Sequence, residues 1–343
     1  MDLTTEEGVK QYLKSKLYPS CSHVERLPEG FGGFVFRAHI GNDEGPSTVI
    51  FKHVEGYAAR SPQWKLEQVR LEYEAKALNL LTQPEMHHKG VRPPKILSFD
   101  KQNWVLILED AGNVPSLKGW LKPGVDVELA ASQGKALGQY LANIHNITAG
   151  NEAILADFAG NATAKSLSST LYFIRLPQVA ESLGFSGEHI RQAAEQGEKD
   201  VLEASEVITL GDFWTGNVLV GDGGTLFVLD LELSKPGTAE FDIGQMAAEL
   251  YCVAALRNRE LGMAVFDAFL RAYRETRTVA VDAARVAIRI GSHLMVIMPN
   301  AWTAEGSKEQ IDEQLRIGDE LIRLGISGDH EGLMGSILRP LIS

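Results

Sequence analysis

The sequence predicts an α+β protein in which a β-rich N-terminal part precedes a larger, mainly helical C-terminal part. Three observations support this fold class. Short β-type runs bounded by glycine and proline lie before residue 110. From Asp126 onward, apolar residues recur mostly at every third or fourth position, which indicates helices. A single hairpin-like stretch, residues 205–244, interrupts the helical part.

The composition narrows the classes of protein to which this chain can belong. Its 343 residues are enough for two domains, and 44% apolar with 23% charged residues is ordinary for a globular protein. The net charge of −12 argues against a nucleic-acid partner, because the phosphate backbone would be repelled. Only Cys21 and Cys252 are present, which excludes a disulfide framework and a cysteine metal site.

Targeting signals are not recognisable in the sequence. The N-terminus lacks the basic-then-apolar order of a signal peptide, and no apolar run reaches the length of a membrane span. We therefore expect a cytoplasmic protein with no membrane segment. The sequence does not predict the oligomeric state.

A glycine-rich turn stands near the start of the β-rich part, within residues 27–40. Gly30, Gly32 and Gly33 would let backbone amides approach phosphate oxygens closely. Most glycine clusters are simple turns, so position matters here. The turn precedes a strand, residues 48–54, that carries a lysine among apolar residues, which favours a phosphate-binding role.

Lys52 is that lysine, and two interpretations of it are open. It either extends to water from an apolar face or holds phosphates while pairing with a glutamate from the next helix. We expect that helix to begin at Ser61-Pro62. Glu74 has leucines four and seven positions later and so faces inward, whereas Glu72 lies on a solvent face. Glu74 is the predicted partner, with a solvated helix charge as the alternative.

The stretch 205–244 predicts a hairpin with acidic and amide side chains at its base. If Gly223 and Gly224 form a two-residue turn, Asn217 lies opposite Asp230, and Glu232 follows two residues later. Hard oxygen ligands gathered on one edge suit Mg²⁺. The pattern therefore predicts a magnesium site.

Asp212 lies five residues before the amide of that predicted site, at Asn217. A carboxylate there can accept a proton from a hydroxyl that attacks a metal-bound phosphate. Asp and Asn also fill ordinary turns, and the Asp–Asn spacing alone does not separate the two interpretations. The hairpin and the Asp230-Leu231-Glu232 triplet favour the chemical one.

Three motifs in this order carry a resemblance to a known family: Gly211-Asp212-Phe213-Trp214-Thr215-Gly216-Asn217, Asp230-x-Glu232 and Phe241-Asp242-Ile243-Gly244. Together they resemble the aminoglycoside phosphotransferase superfamily, and most closely its methylthioribose kinase and hydroxytryptamine kinase branch. The resemblance implies a bilobal protein-kinase-like fold with a small β-rich N-lobe, residues 1–110, and a larger mainly helical C-lobe, residues 111–343. The hinge is expected near residues 109–112.

The resemblance also implies ATP and Mg²⁺ as cofactors and a set of site residues. Asp212 would be the catalytic base, and Asp242 would brace the catalytic loop. The nucleotide-binding residues that it implies are Gly30, Phe31, Gly32, Lys52, Glu74, Glu109 and Ala111. The metal ligands that it implies are Asn217, Asp230 and Glu232.

One position departs from the superfamily pattern. Leu210 stands where the superfamily usually has a histidine, two residues before the catalytic Asp. A nucleotide-binding pseudokinase acting as a scaffold or regulator is therefore the alternative to an enzyme. Retention of all the expected ligands favours a small-molecule kinase that transfers the γ-phosphoryl group to a hydroxyl. The acceptor, neutral or cationic, stays open among methylthioribose, hydroxytryptamines, amino alcohols and aminoglycosides.

Overall fold

Two structural units divide the chain. The structure is a computed structural model that describes residues 1–28, 30–41, 47–302 and 304–343. The first unit comprises Met1–Gln83 and Pro93–Asn113, and the second comprises Pro84–Arg92 and Val114–Ser343. No helix within the described residues combines the length and the apolar character needed to cross a membrane.

A five-stranded antiparallel sheet forms most of the first unit, with strand order β1-β2-β3-β8-β7. Its strands are β1 (His23–Arg26), β2 (Phe34–His39), β3 (Thr48–His53), β7 (Ile96–Asp100) and β8 (Val105–Glu109). One face packs on helix α1 (Glu6–Lys16), where Tyr12 meets Phe51 edge to face at 5.6 Å. Alternation along β3 turns Val49 and Phe51 into this core, so Lys52 points to the other face.

The predicted helix start at Ser61-Pro62 is wrong. Ser61–Lys65 forms strand β5, which pairs with β4 (Tyr57–Ala58) in a separate hairpin, and a two-stranded ribbon tolerates an edge proline. Helix α2 runs over Arg70–Leu81. The buried guanidinium of Arg70 donates hydrogen bonds to the carbonyl oxygens of Glu67, Gly32 and Glu55 at 2.7, 3.0 and 3.1 Å. These contacts, which local sequence signals do not contain, fix the first turn of α2.

Helices form most of the second unit, as their 3.6-residue apolar periodicity predicts. They are α3 (Leu117–Trp120), α4 (Val127–Thr148), α5 (Glu152–Ala159), α6 (Ala162–Ser169), α7 (Leu176–Ser182), α8 (Glu188–Glu203), α9 (Ala239–Leu256), α10 (Arg259–Thr276), α11 (Ala283–Val296), α12 (Met298–Ala301), α13 (Lys308–Ser327), α14 (His330–Gly335) and α15 (Arg339–Ile342). A π-helical turn, Thr170–Ile174, joins α6 to α7. The side chains of this turn pack with α7, α8, α9, α11 and α13 in one apolar cluster.

Short strands in the second unit hold the functional loop. Strand β10 (Val218–Val220) pairs antiparallel with β11 (Leu226–Val228), which pairs in parallel with β6 (Val91–Arg92). Strand β9 (Val207–Thr209) pairs antiparallel with β12 (Lys235–Gly237). The loop between β9 and β10 is therefore anchored at both ends by sheet hydrogen bonds.

Candidate active site

A buried ion pair joins β3 to α2 in the first unit. The Nζ of Lys52 lies 2.6 Å from Oε2 of Glu74, and both side chains are buried. Glu72 instead pairs with the exposed Lys101 at 2.9 Å. Of the two glutamates, Glu74 is thus the partner of Lys52, because position 74 shares the inward face of α2. The role of the pair in nucleotide binding stays a prediction.

The glycine-rich loop lies directly before β2. Gly30 has a φ of 135°, and a Cβ placed on Gly33 would lie 3.3 Å from Cε of Lys52. The carbonyl oxygens of Phe31 and Gly32 accept hydrogen bonds from backbone amides of the β4–β5 turn, at 3.2 and 3.4 Å. The Phe31 side chain is half exposed and meets Trp64 edge to face at 5.7 Å. The loop therefore lies against Lys52, and the hydrogen bonds that its carbonyl oxygens accept hold it to the β4–β5 turn.

The predicted hinge residues follow β8. Glu109 exchanges hydrogen bonds with the backbone of Lys95, its amide donating at 2.9 Å and its carboxylate accepting at 3.1 Å. Arg37 binds the Asp110 carboxylate at 2.7 and 3.2 Å and the carbonyl of Gly112 at 2.9 Å. Burial opposes ionisation of Asp110, but these hydrogen bonds outweigh it and lower its pKa. Ala111 thus lies in a backbone turn fixed on both sides, and its adenine contact stays a prediction.

In the second unit, Asp242 holds the loop that follows β9. Its carboxylate accepts hydrogen bonds from the amides of Leu210 and Gly211 at 2.6 and 3.0 Å, and the buried ring of His145 lies 3.4 Å away. Gly211 has a φ of 84°, and a Cβ there would lie 2.0 Å from the carbonyl oxygen of Leu233. Leu210 is buried in the core beside them. These bonds fix the backbone that carries Asp212.

Two neutral amides hold the carboxylate of Asp212. Asn217 donates from Nδ2 to Oδ2 at 2.8 Å, and Gln245 donates from Nε2 to Oδ1 at 2.8 Å. The side chain keeps some exposure to solvent, but protein surrounds it closely. Burial, followed by repulsion from Asp230, raises the pKa of Asp212 to about 7, although the two amide hydrogen bonds act to lower it.

Gln245 is a residue of this site that the sequence reading missed. It lies on α9, three residues after Asp242, so both side chains extend from one helix face. Its Nε2 also donates to Tyr172 Oη at 3.1 Å, while its Oε1 accepts from Arg289 at 3.4 Å. Because an arginine only donates, this contact turns the Gln245 amide so that its nitrogen faces Asp212. The spacing from Asp242 was the only sequence signal that pointed to it.

The predicted register of the acidic hairpin is wrong by one residue. Val218 pairs with Val228 and Val220 with Leu226, which leaves a three-residue turn, 222–224. The amide of Gly224 bonds to the carbonyl of Gly221 at 3.1 Å, and Gly223 at the third position has a φ of 70° and a ψ of 11°. Gly224 is left-handed as well, with a φ of 82°, so the loop holds three residues, one more than a two-residue hairpin turn.

The corrected register places Leu229, not Asp230, beside Asn217, and the amide of Leu229 donates to the carbonyl of Asn217 at 2.8 Å. Regular pleating would then turn Asp230 to the opposite face. Asp230 instead has a left-handed φ of 58°, which is uncommon for a residue other than glycine. The left-handed turn ends the strand, and the repulsion on Asp212 shows that the Asp230 carboxylate lies in its vicinity.

The donor atoms in the second unit fit a hard cation. A carboxylate oxygen of Asp230 lies within 4.8 Å of one of Glu232. The hydrogen bond from Nδ2 of Asn217 to Asp212 turns the amide oxygen of Asn217 away from that carboxylate. Asn161 donates to the backbone carbonyl of Glu232 at 2.9 Å and fixes its backbone. Carboxylate and amide oxygens are donors that suit Mg²⁺, and the structure brings two of the three predicted ligands together, those of Asp230 and Glu232.

Comparison with known proteins identifies the family. The sequence model of the phosphotransferase enzyme family, APH, matches residues 25–284. The chain belongs to this family. It is therefore an enzyme, a small-molecule phosphotransferase with an alcohol group as acceptor. The family resemblance that the sequence motifs predict is confirmed.

Two curated relatives and one solved structure give the range of similarity. The 4-hydroxytryptamine kinase of Psilocybe cubensis is 27% identical over 90% of each chain. A methylthioribose kinase of Bacillus velezensis is 25% identical over 80% of this chain and 74% of its own. A choline/ethanolamine kinase family protein from Mesorhizobium loti has a TM-score of 0.53 at 13% identity, covering 97% of this chain and 99% of its own. That likeness confirms the predicted α+β kinase-like fold class.

Proposed function

We propose that the chain transfers the γ-phosphoryl group of ATP to a hydroxyl of a small metabolite, with Asp212 as the general base. The observation that carries the proposal is the environment of the Asp212 carboxylate, which two amides orient and whose pKa is raised to about 7. A base with a pKa near the working pH combines a large deprotonated fraction with a strong drive to take a proton.

The transfer makes one bond to the γ-phosphorus and breaks one. The acceptor oxygen forms a bond to the γ-phosphorus, its proton passes to Asp212, and the bond from the γ-phosphorus to the β,γ-bridging oxygen breaks, releasing ADP. Asn217 and Gln245 each bind one oxygen of Asp212, so the carboxylate cannot rotate freely. Such catalysis depends mostly on positioning and charge stabilisation, which the two amides support.

Residues of the first unit are proposed to bind the nucleotide. Lys52, held by Glu74 at 2.6 Å, presents a fixed positive charge to the α- and β-phosphates. Backbone amides of Gly30, Phe31 and Gly32 would cover the phosphates, and the main chain at Glu109 and Ala111 would contact the adenine. The Arg37–Asp110 pair, which fixes the turn at 110–112, supports a preformed adenine contact.

The proposed metal ligands are Asn217, Asp230 and Glu232. When bound, Mg²⁺ would neutralise charge on the transferring phosphoryl group and its leaving oxygen. The left-handed backbone of Asp230 supports this assignment, because strained conformations are retained mainly where function requires them.

The acceptor class is proposed from the relatives. One is a 4-hydroxytryptamine kinase, whose named substrate carries an aromatic hydroxyl and an amine, and another is a methylthioribose kinase, whose named substrate is a hydroxylated sugar. The first is similar over 90% of both chains, the second over 74% of its own length. We therefore place hydroxylated aromatic amines first among the acceptors and hydroxylated sugars second.

A direct assay tests the proposal. The purified protein, with ATP and magnesium, is offered hydroxytryptamines, methylthioribose and amino alcohols in turn, and mass spectrometry records the phosphorylated product. We expect one group of hydroxyl acceptors to gain one phosphoryl group while ADP appears in equal amount. ATP binding without transfer to any hydroxyl compound would instead favour a pseudokinase.

A second assay tests the metal ligands separately. Calorimetry compares ATP binding with and without magnesium in the wild type, in Asp230→Ala and in the exposed hairpin variant Asp222→Ala. We expect magnesium to strengthen ATP binding in the wild type and in Asp222→Ala but not in Asp230→Ala. Full retention of the magnesium effect in Asp230→Ala would refute the metal assignment.

A further inference from the structure

A small cavity in the second unit has no part in the proposed reaction. Its volume is about 30 Å³, and it lies among α8, β12, α9 and α11. Its rim includes the half-buried side chains of Gln196, Asp200 and Arg285, while Lys235 and Arg289 line its buried part. A cavity of this volume accommodates roughly two water-sized groups.

Two buried cations line this cavity, and several of their N–H donors have no acceptor among the described residues. Lys235 is 1% exposed and Arg289 is 2% exposed. In the described part of the chain, Nζ of Lys235 and both Nε and Nη1 of Arg289 have no hydrogen-bond partner. Within the described residues, Nη2 of Arg289 donates to Gln245 at 3.4 Å, and the guanidinium also hydrogen-bonds Tyr172. At least three donor atoms therefore lack an acceptor.

Aromatic rings offset only part of the cost of burying these charges. Lys235 Nζ lies 4.2 Å and Arg289 Cζ 4.4 Å from the centre of the Phe241 ring, and Arg289 also lies 3.6 Å from that of Tyr172. Contact with a ring face stabilises a cation but does not satisfy its N–H donors. Two like charges that share one ring also repel each other, so a negative ligand would relieve both penalties.

The charge state of the lysine is consistent with an anion beside it. Burial lowers the pKa of Lys235 to about 8, although the charge of Asp242 acts to raise it. The ammonium is thus still mostly protonated at neutral pH. The cavity holds a positive charge there even without a ligand.

The carboxyl groups of the cavity limit the ligand to a single negative charge. Asp200 is paired with Arg285 at 3.5 Å. Glu240 accepts a hydrogen bond from the amide of Asp282 at 3.0 Å, its other oxygen has no partner in the described residues, and burial raises its pKa. These carboxyl groups offset part of the positive charge of the cavity, so they disfavour a ligand that carries more than one negative charge. The volume of the cavity excludes a phosphate ester or a nucleotide.

We propose that this cavity binds one small monovalent inorganic anion, such as chloride, between Lys235 and Arg289. The anion accepts hydrogen bonds from Nζ of Lys235 and from Nε and Nη1 of Arg289, the donor atoms that otherwise lack acceptors. It enters from the rim, where Gln196 and Arg285 retain exposure. The anion proposal does not depend on the phosphoryl-transfer proposal, although Arg289 also contacts Gln245 of the candidate active site.

Thermal unfolding tests the site on the whole protein. Sodium chloride replaces sodium gluconate at constant ionic strength, since gluconate is too large for the cavity. An anion that binds only the folded state raises the Tm, by about 2 to 4 °C at tenfold its Kd. We expect this rise in the wild type and in Lys308→Met, which removes an exposed lysine, and its loss in Lys235→Met. An equal rise in all three proteins would overturn the proposal.

Bromide gives a second measurement that does not depend on a variant. Crystals of the wild-type protein are soaked in sodium bromide, and anomalous diffraction locates the ion. We expect a peak within hydrogen-bond distance of Lys235 Nζ and Arg289 at bromide concentrations that reproduce the thermal effect. A cavity that holds only water in these crystals would overturn the proposal, even if Lys235→Met fails to fold.

Discussion

Each of the two units buries charged side chains, but they compensate those charges differently. In the first unit the charge of Lys52 is matched by Glu74 at 2.6 Å. In the second, Asp212 is held by neutral amides, and Nζ of Lys235 has no hydrogen-bond acceptor among the residues that the structure describes. A matched pair neutralises itself inside the protein, whereas an uncompensated charge titrates nearer to neutral pH or requires an external ligand. The pair can serve as a fixed electrostatic element, and the unmatched groups can exchange protons or bind ions.

The largest effect is expected from removing the titratable group of the second unit. Asp212→Asn keeps the shape and the contact to Gln245 but cannot accept the acceptor's proton, so kcat should fall by about 10²- to 10⁴-fold. Steady-state kinetics and ATP calorimetry measure turnover and nucleotide binding separately. Asp222→Asn, in the exposed hairpin turn, serves as the control and should retain full turnover. Unchanged turnover in Asp212→Asn would remove Asp212 as the base.

The next effect concerns the matched pair. Glu74→Gln leaves the buried Lys52 without its counter-charge, which should lower the free energy of unfolding by about 3 to 5 kcal/mol and weaken the use of ATP. Denaturant unfolding and kcat/KM for ATP measure the two effects. Glu72→Gln removes only the pair with the exposed Lys101 and should lower the free energy of unfolding by no more than about 1 kcal/mol. Equal losses in the two variants would show that the buried pair contributes no more to stability than the exposed pair of Glu72 and Lys101.

The unmatched lysine should give stability a distinct pH dependence in gluconate buffer. The pKa of Lys235 falls from 10.5 to about 8 on folding, so between these values the unfolded chain binds more protons than the folded one. The contribution of Lys235 to the free energy of unfolding therefore rises as the pH increases between these two pKa values, by roughly 3 kcal/mol in total. Urea unfolding from pH 7.5 to 10.5 should show the rise in the wild type relative to Lys235→Met. Parallel curves for the two proteins would contradict it.

A smaller effect is expected from one of the neutral amides. Gln245→Leu removes the hydrogen bond to Oδ1 of Asp212 and leaves the one from Asn217. A hydrogen bond to a charged group contributes about 1.5 to 3 kcal/mol, so kcat should fall about 10- to 100-fold while KM for ATP changes little. Tyr172→Phe keeps the ring but removes the hydroxyl that bonds Gln245 and Arg289, and it should lower kcat less than Gln245→Leu. A loss as large as that of Asp212→Asn would indicate a collapsed site.

Local patterns were reliable where one element's own geometry decides the outcome. The helical phase of α2 alone distinguishes Glu74 from Glu72, because the apolar positions mark which face turns inward. The order of the glycine loop, the lysine strand and the acidic motifs was readable for the same reason. The register of β10 and β11 was not, since two adjacent glycines permit either a two- or a three-residue turn.

The sequence by itself determined the α+β class, the family motifs and the buried Lys52–Glu74 pairing, because periodicity and spacing are properties of the chain. Tertiary structure alone decided that Gln245 reaches Asp212 and that Lys235 and Arg289 share a cavity. Their positions lie 33 and 54 residues apart in the chain, and only the packing of α9, α11 and β12 brings such side chains together. Hydrogen bonds and charges act through space, so contacts between distant positions leave no periodic signal in a single sequence.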